Sequence, residues 1–184
     1  MASKSTNFEL RGYNHIALVC ADMQKTVDFY EGILGFPLVK TLEFPGGGGQ
    51  HFFFQVTEDD GIAFFYFPNA PAAAPGVAGA VWGATDERGN RLATIAGKAA
   101  PGAMHHLSFE VPLERLPEYR DKLRAAGVEV SEITRHAPLV DGDTDDLLQA
   151  LYFADPDGTV LEFSSYTRAL TEQDVARGPV KATA

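Results

Sequence analysis

The sequence predicts an α+β fold in which two tandem βαβββ modules form a cupped mixed sheet with the helices on its outer face. One observation is that the order strand, amphipathic helix and three strands is found twice along the chain. The other is that 184 residues, 45% of them hydrophobic and 22% charged, suit one ordinary globular domain or two small fused modules.

The first module, residues 12–68, opens with the alternating strand NHIALV and continues into an amphipathic helix. Asp22 has the side chain expected of a helix N-cap, and Gly35 is expected to end the helix. The apolar stripe of this helix consists of Met23, Val27, Tyr30 and Leu34. Strands are then predicted at about 37–44, 50–57 and 62–68, with TEDDG as the hairpin between the last two.

The second module, residues 104–166, repeats this order. The strand HHLSFEV precedes a helix that Gly127 ends and whose stripe consists of Leu116, Tyr119, Leu123 and Ala126. Strands are predicted at about 128–134, 148–154 and 159–165. The residues DPDG form the turn between the last two, because Pro and Gly suit its backbone angles.

The segment between the modules, residues 69–103, is rich in Ala, Gly and Pro and has no clear periodicity. We interpret it as a flexible connector, with a lid over a pocket as the alternative, since an irregular segment of this length is unusual inside a compact domain. In the tail, residues 167–184, the stretch LTEQDVAR predicts a short helix capped by Thr171.

Charge and hydropathy argue against several classes of partner. The net charge is −10 and Lys and Arg form no cluster, so neither nucleic acid nor an anionic membrane is an expected partner. No apolar run approaches the roughly 20 residues that cross a bilayer. The N-terminus has no apolar segment of the kind found in secretory signals, and the single cysteine, Cys20, forms no internal disulfide. These features favour a soluble cytoplasmic protein.

Strand alternation predicts which side chains share a face. Aligning NHIALV with HHLSFEV matches His15 with His106. The large apolar residues of each strand must cover the helices, so His15, His106 and Glu162 are expected on the concave face. His105 then lies on the helix side or at the start of the strand, and a packing role is predicted for it. Two histidines and one carboxylate that converge in this way can hold Fe(II) or a similar divalent metal.

The repeated segments resemble the vicinal oxygen chelate superfamily, which contains glyoxalase I, bleomycin resistance proteins and extradiol ring-cleaving dioxygenases. The resemblance rests on NHIALVCADMQKTVDFYEGILGF, HHLSFEVP and LYFADPDGTVLEF, and it covers about residues 12–166 apart from 69–103. It implies that His15, His106 and Glu162 are metal ligands. The implied cofactor is a divalent metal, Fe(II) first, with Mn, Zn or Ni as alternatives.

The fourth ligand position separates the subgroups of this superfamily. Aligning EDDGIAFFYF with DPDGTVLEF on Gly61 and Gly158 places Phe65 opposite Glu162. Glyoxalase I and methylmalonyl-CoA epimerase have Glu or Gln near this position, whereas phenylalanine cannot bind a metal. The remaining three-ligand pattern resembles that of extradiol dioxygenases, and it is also seen in fosfomycin resistance transferases.

The residues LYFADPDGTVLE resemble the end of the dioxygenase signature. By this resemblance Tyr152, on the same face as Glu162, would hydrogen-bond a substrate oxygen. The signature has a histidine upstream of this tyrosine, but residues 143–145 read DTD here. We predict that His51 replaces it as general base, because histidine is the usual proton acceptor near neutral pH. A position at the rim of the cavity is the alternative for His51.

The expected pocket presents Phe53, Phe65 and Phe67 together with Gln55 and Ser108. Such an apolar wall suits an aromatic ring, so the leading hypothesis is a metal-dependent oxygenase of the extradiol type, with a catechol-like small molecule and O₂ as substrates. A glyoxalase-type lyase or isomerase and a metal-free binding module are the alternatives. Phe65 argues against the glyoxalase-type enzyme, because it cannot be a fourth ligand. The complete set of His15, His106 and Glu162 argues against the metal-free binding module. The two modules can close a cup alone or as part of a homodimer.

Overall fold

The computed structural model describes residues 12–71, 84–85, 91–92, 102, 104–136 and 147–171. Most of the connector, the stretch DTD at 143–145 and the predicted C-terminal helix lie outside these ranges. No helix in the described ranges has the length and apolar character needed to cross a membrane.

The first module contains one four-stranded mixed sheet. Its elements are strand β1 (His15–Cys20), helix α1 (Met23–Val27), a π-helical segment (Asp28–Ile33), and strands β2 (Leu38–Phe44), β3 (Gly49–Gln55) and β4 (Gly61–Tyr66). The strand order is β1-β4-β3-β2, and β1 runs parallel to β4. TEDDG joins the antiparallel strands β3 and β4, as predicted.

The second module repeats this sheet. Two short strands, β5 (Ala84–Thr85) and β6 (Arg91–Leu92), precede it. Its elements are strand β7 (Leu107–Glu110), a 3₁₀ turn (Leu113–Arg115), helix α2 (Leu116–Ala125), and strands β8 (Thr134–His136), β9 (Leu148–Ala154) and β10 (Val160–Tyr166). The order β7-β10-β9-β8 matches that of the first module, so the predicted α+β fold of two tandem modules is confirmed.

The helix boundaries follow the predicted caps. The Asp22 side chain accepts hydrogen bonds from the backbone N–H groups of Gln24 and Lys25. Gly35 and Gly127 adopt positive φ angles after the two helices, a conformation that glycine adopts without steric strain. The first helix differs in its second half, where the N–H of Leu34 donates to the carbonyl of Phe29 five residues earlier. This wider turn is π-helical rather than α-helical.

The strand predicted at 128–134 is mostly wrong, because β8 begins at Thr134. Before it, Val130 forms an isolated bridge with Phe153. The Ser131 hydroxyl accepts from the Tyr152 N–H at 2.9 Å, where a regular ladder would use a backbone carbonyl. A side chain therefore replaces part of the backbone pairing at this edge.

The two modules share one hydrophobic core, which lies on the helix side of both sheets. Across the junction the rings of Phe36 and Phe109 meet edge to face at 5.4 Å. The Tyr30 hydroxyl donates to Asp155 Oδ2 at 3.0 Å, and the Ala21 N–H donates to Asp157 Oδ1 at 3.1 Å. The DPDG turn of the second module therefore fixes its position against the first helix.

Replacing Tyr30 with Phe should lower the free energy of unfolding by about 1–2 kcal/mol, because it removes a buried hydrogen bond to a carboxylate. Tyr30 is fully buried. Urea denaturation of Tyr30→Phe and of Tyr13→Phe, a matched change at an exposed tyrosine, measures the difference. Equal stability of the two variants would show that the junction bond contributes nothing.

Candidate functional site

The concave face of the first module is organised in cross-strand rows, since directly paired residues in neighbouring strands point to the same side. The row nearest the start of β1 contains His15, Gly61 and Gln55. The second row contains Ala17, Ala63, Phe53 and Lys40. The third row contains Val19, Phe65, His51 and Leu42. The prediction that His15, His51, Phe53, Gln55 and Phe65 share one face is therefore confirmed.

The concave face of the second module carries a compact polar cluster centred on Glu162. Glu162 pairs with Ser108 on one side and with Tyr152 on the other. Its Oε2 lies 3.1 Å from His106 Nε2, and its Oε1 accepts a 2.7 Å hydrogen bond from the Tyr152 hydroxyl. Glu162 is only 3% exposed, whereas His106 is half-buried.

The protonation states of this cluster follow from its contacts. Burial works to raise the pKa of Glu162, but hydrogen bonds with His106, Tyr152 and Ser108 outweigh burial and lower it. Burial and the neighbouring Glu162 carboxylate raise the pKa of Tyr152 well above its ordinary range. The cluster therefore holds an ionised carboxylate beside a phenol that remains a hydrogen-bond donor.

His106 and Glu162 fit the geometry of neighbouring ligands of one metal ion. Two ligand atoms that each lie about 2.1 Å from a cation at a right angle are about 3.0 Å apart, close to the observed 3.1 Å. His15 is not part of this pair. It is exposed, its Nδ1 lies 2.7 Å from the Asn14 side chain, and its ring contacts Phe53. Within the described residues, no three His, Cys, Asp or Glu side chains form a metal-binding group.

The sheet register corrects the predicted fourth position. Glu162 pairs with Tyr152 in the second hairpin, and the equivalent pair in the first hairpin is Ala63 with Phe53. Ala63 therefore corresponds to Glu162, and the predicted match with Phe65 is wrong. The two glycines used for the alignment are not equivalent, since Gly158 lies in a turn with φ +85° whereas Gly61 is the first residue of β4. Ala63 has no ligand atom, so the three-ligand pattern is unchanged.

His105 lies at the start of the strand, one of its two predicted positions, but the predicted packing role is wrong. It lies before β7 and is exposed, and its Nδ1 is 2.6 Å from His106 Nδ1. One nitrogen must donate and the other accept, so this contact orients the His106 ring with Nε2 toward Glu162. Desolvation, and then the neighbouring His106, lower the pKa of His105. The alternation argument missed this contact because His105 precedes the first paired residue of the strand.

His106→Ala should abolish metal binding, whereas His105→Ala should weaken it by only about 10-fold, the low end of the effect of losing an outer-shell partner. Titration with Mn(II) or Co(II), followed by calorimetry, measures both affinities. Equal losses would contradict the assignment of His106 rather than His105 as the ligand beside Glu162. If His105→Ala binds metal as tightly as the unmodified protein does, His105 does not orient the His106 ring.

His51 lies in an aromatic environment on the first module. It is 8% exposed, and its ring stacks on Phe65 at 3.6 Å with an angle of 7° between the planes. Its Nδ1 lies 3.0 Å from the Phe64 carbonyl oxygen. A carbonyl only accepts, so Nδ1 carries the proton and the lone pair of a neutral ring is on Nε2. The structure thus gives His51 the tautomer that can accept a proton at Nε2.

The other predicted pocket residues lie at several places on the concave faces. The Gln55 amide donates to backbone carbonyls of the TEDDG hairpin, among them Asp60. Ser108 Oγ lies 2.7 Å from Ser164 Oγ, a partner that alternation around Glu162 could have identified. Tyr152 is bonded to Glu162, and Phe67 lies just beyond the end of β4.

One comparison with known proteins identifies a family. The model of the Glyoxalase/Bleomycin resistance protein/Dioxygenase superfamily matches residues 12–163. No curated protein matches the chain. Because the solved structures described next share less than 25% identity with the chain, they show the fold alone.

Three solved structures illustrate this likeness. A glyoxalase family protein from Enterococcus faecalis has a TM-score of 0.60 and 20% identity, over 86% of this chain and 100% of that one. A glyoxylase/bleomycin resistance protein/dioxygenase domain from Frankia sp. EAN1pec has a TM-score of 0.59 and 16% identity, over 86% and 99%. The fosfomycin resistance protein FosX from Listeria monocytogenes, in complex with Mn(II) and dihydroxypropylphosphonic acid, has a TM-score of 0.51 and 18% identity, over 88% and 95%.

Proposed function

Because this chain belongs to the glyoxalase/bleomycin resistance protein/dioxygenase superfamily, we propose that it is a metal-dependent enzyme acting on a small molecule. The observation that carries the proposal is the 3.1 Å approach of His106 Nε2 to the buried carboxylate of Glu162. Their separation matches a pair of neighbouring metal ligands, and Tyr152 holds the carboxylate in place. In this proposal His15 is the third ligand.

A second copy of the chain supplies His15 in this proposal. β1 and β7 are edge strands of their sheets, so within the described part of the chain each has one side without a hydrogen-bonded strand. β1 also exposes Val19 by 54%, and the preceding Tyr13 is 77% exposed. An edge strand with exposed apolar side chains is the kind of surface that a second chain covers. A homodimer would thus bring His15 of one copy to His106 and Glu162 of the other.

The ligand set of two imidazoles and one carboxylate suits Fe(II), and also Mn, Zn or Ni. We propose Fe(II) as the metal. When bound, the ion would polarise oxygen atoms of the substrate and lower the pKa of one of them. Tyr152 and Ser108 would hold the Glu162 carboxylate, and His105 would hold the His106 ring, so that both ligands keep their orientation.

The substrate in this proposal lies over Phe53. The ring of His15 is 5.6 Å from the ring of Phe53, and the ring of His51 is 4.2 Å from it on the same face. The imidazoles of His15 and His51 therefore lie within about 10 Å of each other, a distance that one aromatic ring and its hydroxyl groups can bridge. His51 would accept the proton of a substrate hydroxyl at Nε2. This arrangement favours ring cleavage of a catechol-like molecule by O₂, with Phe65 as part of the apolar wall.

The charges of the concave face argue against a phosphonate substrate. Lys40 is the only cation in the three rows of the first module, and Glu162 of the second copy would add a negative charge beside them in the proposed dimer. Recognition of a phosphonate would call for several cations or a comparable array of donors. A neutral diol fits these rows better.

Oxygen uptake tests the proposed reaction. Protein loaded with Fe(II) without oxygen is mixed with a panel of catechols in an oxygen-electrode cell, and we expect O₂ consumption with a coloured ring-opened product. Fully Fe-loaded protein that consumes no O₂ with any catechol would contradict ring cleavage. Turnover of a hemithioacetal by the Ni or Zn form of the protein would favour isomerase chemistry over ring cleavage.

A further inference from the structure

A cavity lies at the end of the first module that is farthest from His15. It has a volume of about 950 Å³ and is lined by the carboxyl ends of β1 and β4, the glycine turn after β2 and the DPDG turn. Val19 marks its near edge, four residues along β1 from His15, which corresponds to about 13 Å of strand. This cavity contains none of the proposed metal ligands.

One wall of this cavity is formed by Phe67, which belongs to a cluster of three nearly parallel rings whose centroids lie 5.6–6.2 Å from one another. Phe65 and Phe67 lie 5.6 Å apart with 9° between their planes, and Phe44 lies 6.2 Å from Phe67 with 14° between them. Phe67 is 39% exposed, so part of its ring is open to a ligand in the cavity. Planar rings in this orientation favour a further planar ring in offset contact.

Glycine backbone forms part of the cavity wall near Phe67. A Cβ on Gly49 would clash with the Tyr66 carbonyl oxygen, so only glycine allows β3 to approach β4 here. Gly46 and Gly47 have φ angles of +68° and +72° and form the turn that faces the cavity. These glycines present backbone rather than side chains beside the exposed ring.

The charge of the lining restricts the ligand further. Among the residues that the structure describes, the lining contains neither Lys nor Arg, whereas Asp157 contributes a half-buried carboxylate of which only Oδ1 bonds the Ala21 N–H. An anion would find no partner of opposite charge, while a cation would interact with both Asp157 and the open ring of Phe67. We propose that this cavity is a second ligand site, which binds a planar aromatic molecule that is neutral or cationic.

Three two-ring probes of similar size test this proposal: quinoline, N-methylquinolinium and 2-naphthoate. Fluorescence titration of metal-free protein should show that the cation binds at least as well as quinoline, and that the anion binds at least tenfold more weakly. Phe67→Ala should weaken quinoline binding about tenfold, while Tyr13→Ala, a change at another exposed ring, should leave it unaltered. Asp157→Asn keeps the oxygen that accepts the hydrogen bond from the Ala21 N–H. It should remove the preference for the cation N-methylquinolinium over the anion 2-naphthoate.

Unchanged quinoline binding in Phe67→Ala, or equal binding of anion and cation, would overturn the proposal. Binding that is lost in His106→Ala would also overturn it, since the probe would then occupy the proposed metal centre. Because these titrations use metal-free protein, their outcome is independent of whether the protein is an oxygenase.

Discussion

A heterodimer of a His15→Ala chain and a His106→Ala chain should bind about half as much metal as the unmodified dimer, although each variant alone should bind none. If the ligands come from two copies, this heterodimer contains one site with both substitutions and one site with neither. If all ligands came from one chain, both sites would be damaged. His15 is exposed and His106 is half-buried, so neither substitution should unfold the chain.

Co-expression with two different tags yields the heterodimer, and metal analysis after loading gives the ion content per dimer. A matched control pairs His106→Ala with the double variant His15→Ala/His106→Ala, which leaves no intact site in either arrangement. A test heterodimer as empty as this control would contradict the shared site. Metal retained by His15→Ala alone would remove His15 from the ligand set.

Much of the fold could be predicted from local signals. Asp22 and Gly35 define the ends of the first helical segment because capping and positive φ depend on a few neighbouring residues. Strand alternation placed Glu162 and Tyr152 on one face, and the structure brings them within hydrogen-bond distance. These features need no information about distant parts of the chain.

The features that sequence reasoning missed depend on pairing between strands. The equivalence of Ala63 with Glu162 requires the hairpin register, and a glycine alignment cannot supply it because glycine occurs both in turns and in strands. The Ser131 hydroxyl takes the place of a backbone carbonyl as the acceptor for the Tyr152 N–H in β9. Hydrophobic periodicity gives no information about such a side-chain bond. The separation of His15 from His106 depends on how the modules pack, and that is set by contacts such as Tyr30 with Asp155.

Substitution of His51 tests the proposed reaction, whereas the heterodimer tests how two chains form the site. His51→Ala should reduce kcat by roughly 10²–10⁴-fold, the usual contribution of a general base, and leave metal affinity unchanged. The expectation rests on two contacts. The bond from Nδ1–H to the Phe64 carbonyl leaves the Nε2 lone pair available, and the 4.2 Å contact with Phe53 places the ring beside the proposed substrate position.

His51→Ala also removes the stacking contact with Phe65, and this loss alone could reduce turnover. Two further measurements therefore separate the loss of the stack from the loss of the general base. Phe65→Leu removes the 3.6 Å stacking partner but leaves the base, and it should change KM more than kcat. Added imidazole should restore part of the rate of His51→Ala, because a free base can occupy the space left by the ring and accept the same proton. Equal kcat losses in the two variants, with no recovery in imidazole, would show that His51 only packs against the aromatic wall.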